Sequence, residues 1–287
     1  MIFPTDDLQA ALRCAVPGSV LELSEGDFHC KVMIEVPELT IRGQGAGKTR
    51  IVWDDYAKKP DSLGREYNTF RTWTAAVCAD GVRMYDLSIV NDARRPEVLG
   101  QEVALTVYAD RFHMERCVLT STQDTLFLGP LPDDLIERYG GFLPDVLRRK
   151  VSCRQFFRDC RIEGTVDFIF GCGEATFDNC EIRSLRDARN IGYLAAPAHA
   201  PDQKQGFLFR GCRLTAEDGV TPGSIFLARP WRDYGMCEFQ NCVTEGDHIS
   251  PLGFDKWNDT RRDLTARFYE TPAAPGRVSW AKTREAL

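Results

Sequence analysis

Six stretches of the chain repeat one short pattern, and this repeat constrains the fold more than any other feature. Five are centred on a cysteine: Met114–Leu119, Phe157–Ile162, Phe177–Ile182, Phe209–Leu214 and Phe239–Thr244. Met114, Phe157, Phe177, Phe209 or Phe239 stands three residues before the cysteine, and Arg116, Asp159, Asn179, Gly211 or Asn241 stands one before it. Cys117, Cys160, Cys180, Cys212 and Cys242 follow, and two residues on come Leu119, Ile162, Ile182, Leu214 and, as the exception, Thr244. An earlier copy, Met84 to Ile89, carries Leu87 in the cysteine slot. The alternation of large apolar and polar side chains is a strand signature. Successive centres lie 30, 43, 20, 32 and 30 residues apart, which fits stacked coils with loops of variable length. The expected fold is therefore all-β: a single-domain, right-handed parallel β-helix over 1–287, in which each coil buries its inward side chains against the next. A sandwich fits less well. The cysteines would form an internal column of small apolar residues.

The stretch Gly164-Thr165-Val166-Asp167-Phe168-Ile169-Phe170-Gly171 reads as a short buried strand with an acid inside it. A buried carboxylate is costly unless something pairs with it or uses it. Taken alone, Asp167 reads as an acid that bends a turn or is simply hydrogen-bonded. Asp124, in Ser121 to Phe127, changes that reading: it lies seven residues after Cys117, as Asp167 lies seven after Cys160. If the cysteines stack, the two acids occupy the same place on neighbouring coils, about 4.8 Å apart along the backbone. Two carboxylates that close do not both ionise freely, so one pKa is expected to rise and the other to fall. Paired acids on one face point to catalysis.

Four segments, Gln101-Glu102-Val103-Ala104-Leu105, Gln123-Asp124-Thr125-Leu126-Phe127, Gly164 to Gly171 and Ala228-Arg229-Pro230-Trp231, resemble the four motifs of the pectin methylesterase (pectinesterase) family, in the family's order. The resemblance covers most of the chain, from Thr5–Gly26 to Pro251–Trp257. It implies removal of methyl esters from galacturonan, in pectin or its oligosaccharides, with release of methanol and no metal or organic cofactor. It assigns Asp167 as nucleophile, Asp124 as general acid and base, Gln101 and Gln123 as oxyanion donors, and Arg229 as the cation that holds Asp167. Trp231, Phe168, Trp257, Phe127 and Thr74 would bind the sugars, with Trp257 and Phe254 extending the Trp231 platform. Three positions depart from the family pattern: Thr122 where an aromatic is usual, Cys172-Gly173 for Asn-Ala, and Phe254 for a tryptophan. Three alternatives stay open. One is a non-catalytic polysaccharide-binding β-helix, which would not require the acid pair. Another is a polygalacturonase or pectate lyase, whose further acid and groove histidine, or calcium cluster with a basic residue, are not evident. The last is a related β-helix esterase or thioesterase with another acyl group.

A net charge of −6 argues against nucleic acid and leaves a largely neutral methylated polymer acceptable. No apolar run approaches the ~20 residues of a membrane helix. Met1 to Asp7 lacks a basic region followed by a long apolar one, and no CxxC occurs among the eleven cysteines. These features set the expectation of a cytoplasmic monomer acting on pectin or an oligogalacturonide, with neither nucleic acid nor membrane as partner.

Residues 1–25 read as an N-terminal cap containing a helix, Leu8 to Leu12, started by Asp6 or Thr5 and stopped by Pro17-Gly18. Val20 to Leu23 and Val32 to Ile34 read as strands around a turn at Glu25 to Asp27. Gly43 to Thr49 fails as a P-loop, since Arg42 stands where the first glycine belongs and a strand follows; it reads as a turn between coils. Residues 54–73 form a long excursion, and Phe70 to Trp73 either edges a cleft or belongs to an ordinary packed loop, with the sequence favouring neither. The 43-residue interval hides an insertion at 129–152, expected to overhang the site and set substrate choice. It is longer than expected for plant enzymes of the family, which puts plant-like substrate specificity in doubt; the resemblance is to the bacterial type. The four histidines (29, 113, 199 and 248) show no metal-ligand spacing, and the Asn258-Asp259-Thr260 sequon carries little weight. Residues 258–287 are expected to form a tail packed on the outside.

Overall fold

Each copy of the cysteine pattern is two short strands that meet at a corner. In the computed structural model, which describes residues 1–94 and 96–284, Met114 lies in the strand Phe112–Glu115 and Leu119 in Val118–Thr120. Between them Arg116 adopts a left-handed φ of 53°. The same step recurs at Asp86, Asp159, Asn179, Gly211 and Asn241, with φ of 57°, 51°, 53°, 60° and 52°. This conformation costs an ordinary side chain about 1–2 kcal/mol, less for Gly, Asn and Asp, which explains the composition of the position. Arg116 is the outlier, and its guanidinium grips Asp86 of the preceding coil at 2.7 and 2.9 Å. The strand signature of each repeat thus covers two strands and the corner between them. The inward alternation runs through the corner, so periodicity alone does not reveal the bend.

Among the described residues the corners divide the strands into three walls, of nine, eight and seven strands. Within each wall the pairing is parallel, and successive coils contribute successive strands. This is a parallel β-helix, as the repeat predicted. Inside it the rings of Phe157, Phe177, Phe209 and Phe239 stack with centroids 4.9, 4.6 and 4.5 Å apart. Beside them the thiols form their own column. Cys160, Cys180, Cys212 and Cys242 each donate Sγ–H to a carbonyl of the coil before: Met114, Phe157, Phe177 and Phe209, at 3.3–3.6 Å. The cysteines therefore link coils as well as filling space. All eleven are unpaired thiols.

At the N-terminal end the helix Leu8–Cys14 buries Leu8 and Leu12 over the core. Its cap is Asp7, accepting from the Ala10 amide at 2.9 Å, in place of the expected Asp6 or Thr5; Asp6 instead binds the Phe3 amide. Val20–Glu22 and Val32–Ile34 are strands, but Glu25 to Asp27 is not a turn. Gly26–His29 is itself a strand because Phe28 enters the core. Gly43 to Thr49 joins the strands Thr40–Arg42 and Thr49–Trp53 of adjoining walls. The far end corrects the expectation for 258–287. Arg267–Thr271 is the last strand of the largest wall, covering an edge that would otherwise be open. Trp280 then packs 5.6 Å from Phe268 and 6.2 Å from Phe254, closing the core.

Truncation of a stacked ring should be costly in this architecture. Phe209→Ala is expected to lose about 3–5 kcal/mol in urea unfolding, with Phe209→Leu losing less than half of that. A loss under ~1 kcal/mol for the alanine variant would show that the column carries little of the core's stability.

Candidate active site

The site is built at a second set of left-handed corners, at the edge of the seven-stranded wall. The stretch Gly164 to Gly171 is such a corner rather than the single strand expected. The strand Arg161–Gly164 ends, the chain turns through Asp167 at φ 52°, and the strand Ile169–Gly171 begins. Its two glycines allow close approach of the preceding coil. A Cβ on Gly164 would fall 2.6 Å from the Thr122 carbonyl oxygen, and one on Gly171 2.1 Å from that of Leu128. Asp124, at φ 66°, precedes the strand Leu126–Leu128 in the same way. Leu126 pairs with Ile169, and the Asp124 amide donates to the Val166 carbonyl at 3.2 Å. The two acids thus sit at one corner of adjacent coils, at the 43-residue register read from the sequence.

Arg229 follows the strand Ile225–Ala228, farther along the same wall. Its Nε and Nη2 donate to the two carboxylate oxygens of Asp167 at 2.8 and 2.6 Å. The guanidinium lies between the Tyr193 ring, 3.8 Å from its carbon, and the Trp257 ring, 4.1 Å away. A fork held on both faces and bidentate on an acid has little freedom left. Burial raises the pKa of Asp124 well above the usual carboxylate range, and the neighbouring charge of Asp167 adds to this. Burial raises Asp167 as well, with Arg229 opposing the shift. The expected split, one acid up and one down, is replaced by two raised acids, because desolvation acts on both. The Arg229 guanidinium favours the charged form of Asp167, and burial with the neighbouring charge favours the neutral form of Asp124.

Gln101 and Gln123 line the same cleft of about 410 Å³ as the two acids, Arg229, Trp231 and Trp257. The Gln123 side-chain oxygen accepts from Nη1 of Arg189 at 2.9 Å. Thr122, in the place of the family's usual aromatic, donates to the buried carboxylate of Glu102. Cys172, another departure, is buried and donates to the Ala198 carbonyl at 3.0 Å.

The floor of the cleft is a second apolar cluster, on the outside of the seven-stranded wall. Ala76, Tyr108, Phe127, Phe170 and Ala196 point outward there, covered by Phe70 from the excursion and by Leu131, Leu135, Tyr139, Leu143 and Leu147 from the insertion. The insertion folds into the helix Asp133–Arg138 and a short turn of helix, Asp145–Arg148. Tyr139 donates its hydroxyl to Asn68 at 2.9 Å, and Arg232 grips Asp134 at 2.9 Å, so the wall is tied to both its neighbours. Phe70, Leu135, Arg138 and Tyr139 all face the cleft.

Four predicted sugar contacts are corrected. Phe168 is fully buried in the inner core, where the left-handed Asp167 turns it inward. Phe127 lies under Phe70, 5.1 Å away, and Thr74 is buried with its hydroxyl on the Val90 carbonyl. Phe254 plugs the end of the helix. Trp231 and Trp257 do line the cleft, although Trp257 also braces Arg229. The sequence reading missed Tyr193, Arg189 and the cleft-facing residues of the insertion. Tyr193 had a faint signal, an aromatic in an apolar run of the same wall; the others had none, since loops carry no period. Among the described residues no group of three or more His, Cys, Asp or Glu could hold a metal.

A family model described as Pectinesterase matches residues 6–130 and 145–285. "Probable pectinesterase/pectinesterase inhibitor 35" of Arabidopsis thaliana is 29% identical over 97% of this chain and 47% of its own length. A solved pectin methylesterase from Yersinia enterocolitica superposes with a TM-score of 0.79 at 26% identity, over 97% of this chain and 94% of that one. A pectin methylesterase in complex with hexasaccharide VII gives 0.80 at 26% identity, over 97% and 88%. The chain spans less than half the length of the first curated relatives it matches. The unmatched gap, 131–144, holds the helix that walls the cleft.

A carboxyl group whose pKa is higher folded than unfolded costs nothing below its unfolded pKa of about 3.9, and costs progressively more as pH rises past it. Asp124→Asn is therefore expected to stabilise the protein at pH 7, and the gain should vanish near pH 3. Thermal unfolding at the two pH values measures both. An unchanged or lower melting temperature at pH 7 would contradict a buried, protonated Asp124.

Proposed function

Since this chain belongs to the pectinesterase family, we propose that it is a carboxylic ester hydrolase that removes C6 methyl esters from galacturonan and releases methanol. The observation that carries this reading is the pair of in-register acids, one clamped by Arg229, in a cleft that also holds two glutamine amides. Asp167, as carboxylate, attacks the ester carbonyl carbon and pushes its electrons onto the oxygen. Gln101 and Gln123 donate to that oxyanion, each worth roughly 10²–10³ in kcat. The oxyanion collapses, the carbon–methoxy bond breaks, and Asp124 gives its proton to the departing oxygen, so methanol leaves. Asp167 is then joined to the sugar as a mixed anhydride. Asp124, now ionised, takes a proton from water, whose oxygen adds to the acyl carbon. The bond to Asp167 breaks, freeing a C6 carboxylic acid and restoring both acids.

The substrate is read as pectin or its oligosaccharides, supported by the open cleft and by the hexasaccharide bound to one structural relative. A bacterial-type cleft is proposed from the insertion, with support from the near-complete coverage of the Yersinia enterocolitica chain. The further reading is of a monomer in a reducing compartment, the cytoplasm, in line with eleven unpaired thiols.

Methanol release from highly methylated pectin and from short methylated oligogalacturonides tests the reaction. Asp167→Ala, folded by circular dichroism, should lose roughly 10³-fold or more in kcat. A folded wild type that releases no methanol from either substrate would overturn the assignment. The insertion has its own test in Arg138, an exposed cation on the cleft wall. Arg138→Gln is expected to raise KM about fivefold, the equivalent of ~1 kcal/mol, on galacturonan that carries free carboxylates, and the effect should fade in high salt. An equal KM change on fully methylated substrate would argue against a charge contact.

A further inference from the structure

Gln123 has an acceptor at one end of its amide and donors at the other, and only the donor end serves an oxyanion. Its Oε1 accepts from Nη1 of Arg189 at 2.9 Å. A guanidinium has five donors and no acceptor, so it tolerates only the oxygen of that amide opposite it. The donor end is thereby turned away from Arg189, and Gln123 lines the same cleft as Asp124. Arg189 is fixed in turn. Its Nε and Nη2 donate to Asp187 at 2.7 and 2.6 Å, and its backbone amide donates to the same carboxylate at 2.8 Å. The Asp187 side chain is only 4% exposed. Arg189 stands outside the residues that line the cleft; it touches Gln123 directly, and its charge also acts on Asp124 and Asp167.

We propose that Arg189, braced by Asp187, is a positioning residue for Gln123: it holds the amide with its NH₂ toward the substrate carbonyl and forbids the flipped orientation. This role rests on the ester-hydrolysis reading. Without the clamp a glutamine rotates its amide at little cost, and the flipped form sets a carbonyl oxygen against the developing oxyanion. The loss is thus expected in the transition state and not in substrate binding.

The test is a double-mutant cycle on methanol release from highly methylated pectin, using Arg189→Ala, Gln123→Ala and the double variant, with Arg189→Lys alongside. Arg189→Ala is expected to lower kcat by about 10- to 100-fold with KM within about twofold, and Gln123→Ala by about 10²- to 10³-fold. In the Gln123→Ala background, removing Arg189 should cost less than about twofold more. Arg189→Lys keeps the charge and loses the planar fork. It should leave the limbs of the pH–rate profile in place while kcat falls roughly tenfold. This variant also keeps the test sound should the alanine variant fail to fold. Fully additive losses, a change confined to KM, or a lysine variant equal to wild type would overturn the role, the last by showing that charge alone suffices. Additive losses in an active enzyme defeat only this inference, whereas an inactive wild type defeats the esterase reading and this role with it.

Discussion

Everything in this molecule hangs on the parallel hydrogen bonding of one coil to the next. A single coil buries nothing by itself; its inward side chains are covered only when the coils on either side are in register. That requirement explains the ring column, the thiols that donate to the coil before, and the left-handed corners filled by Asn, Asp and Gly. It also explains how acids 43 residues apart in sequence become neighbours. The register of Leu126 with Ile169 is fixed by packing on the inner face, and the carboxylates on the outer side inherit it.

Function is placed where that logic is locally violated. Asp124 and Asp167 are buried acids in strained backbone, a combination that a stable scaffold would avoid. Arg229, held between two aromatic rings, pairs directly with Asp167, and its charge and that of Arg189 act on Asp124 without offsetting its burial. The cost is borne by the stacked walls around it. A second apolar cluster, outside the helix, carries the loops over the site, so the cleft has its own small core and is more than a gap between loops.

The sequence made the fold legible because the repeat is a property of the backbone path. The cysteine spacing alone yields the stacking, and the matched offsets of Asp124 and Asp167 yield their pairing. What it concealed falls into two kinds. Phe168 and Phe127 sit within three residues of the acids, yet the corner at Asp167 turns Phe168 into the core and Phe70 covers Phe127; proximity in sequence misleads wherever φ changes sign or a loop folds over a strand. Tyr139, Arg138 and Arg189 lie on connections whose conformation is set by tertiary packing, and no periodicity announces it. The C-terminal strand Arg267–Thr271 was hidden for a related reason, since it lacks the cysteine that marks the other copies.

The groups of the site come from different rungs: Gln101 ahead of one strand, Asp124 and Asp167 at the heads of the next two, and Arg229 at the tail of another. The helix axis therefore acts as a ruler graduated in steps of about 4.8 Å. Loops can lengthen by any number of residues, as 129–152 has, and no graduation moves. The acids can shift along the ruler only by a whole rung, which would destroy the site at a stroke. Such a scaffold lets the cleft wall drift while the reacting groups stay locked, so variety in this architecture should accumulate in what the cleft admits far sooner than in what it does.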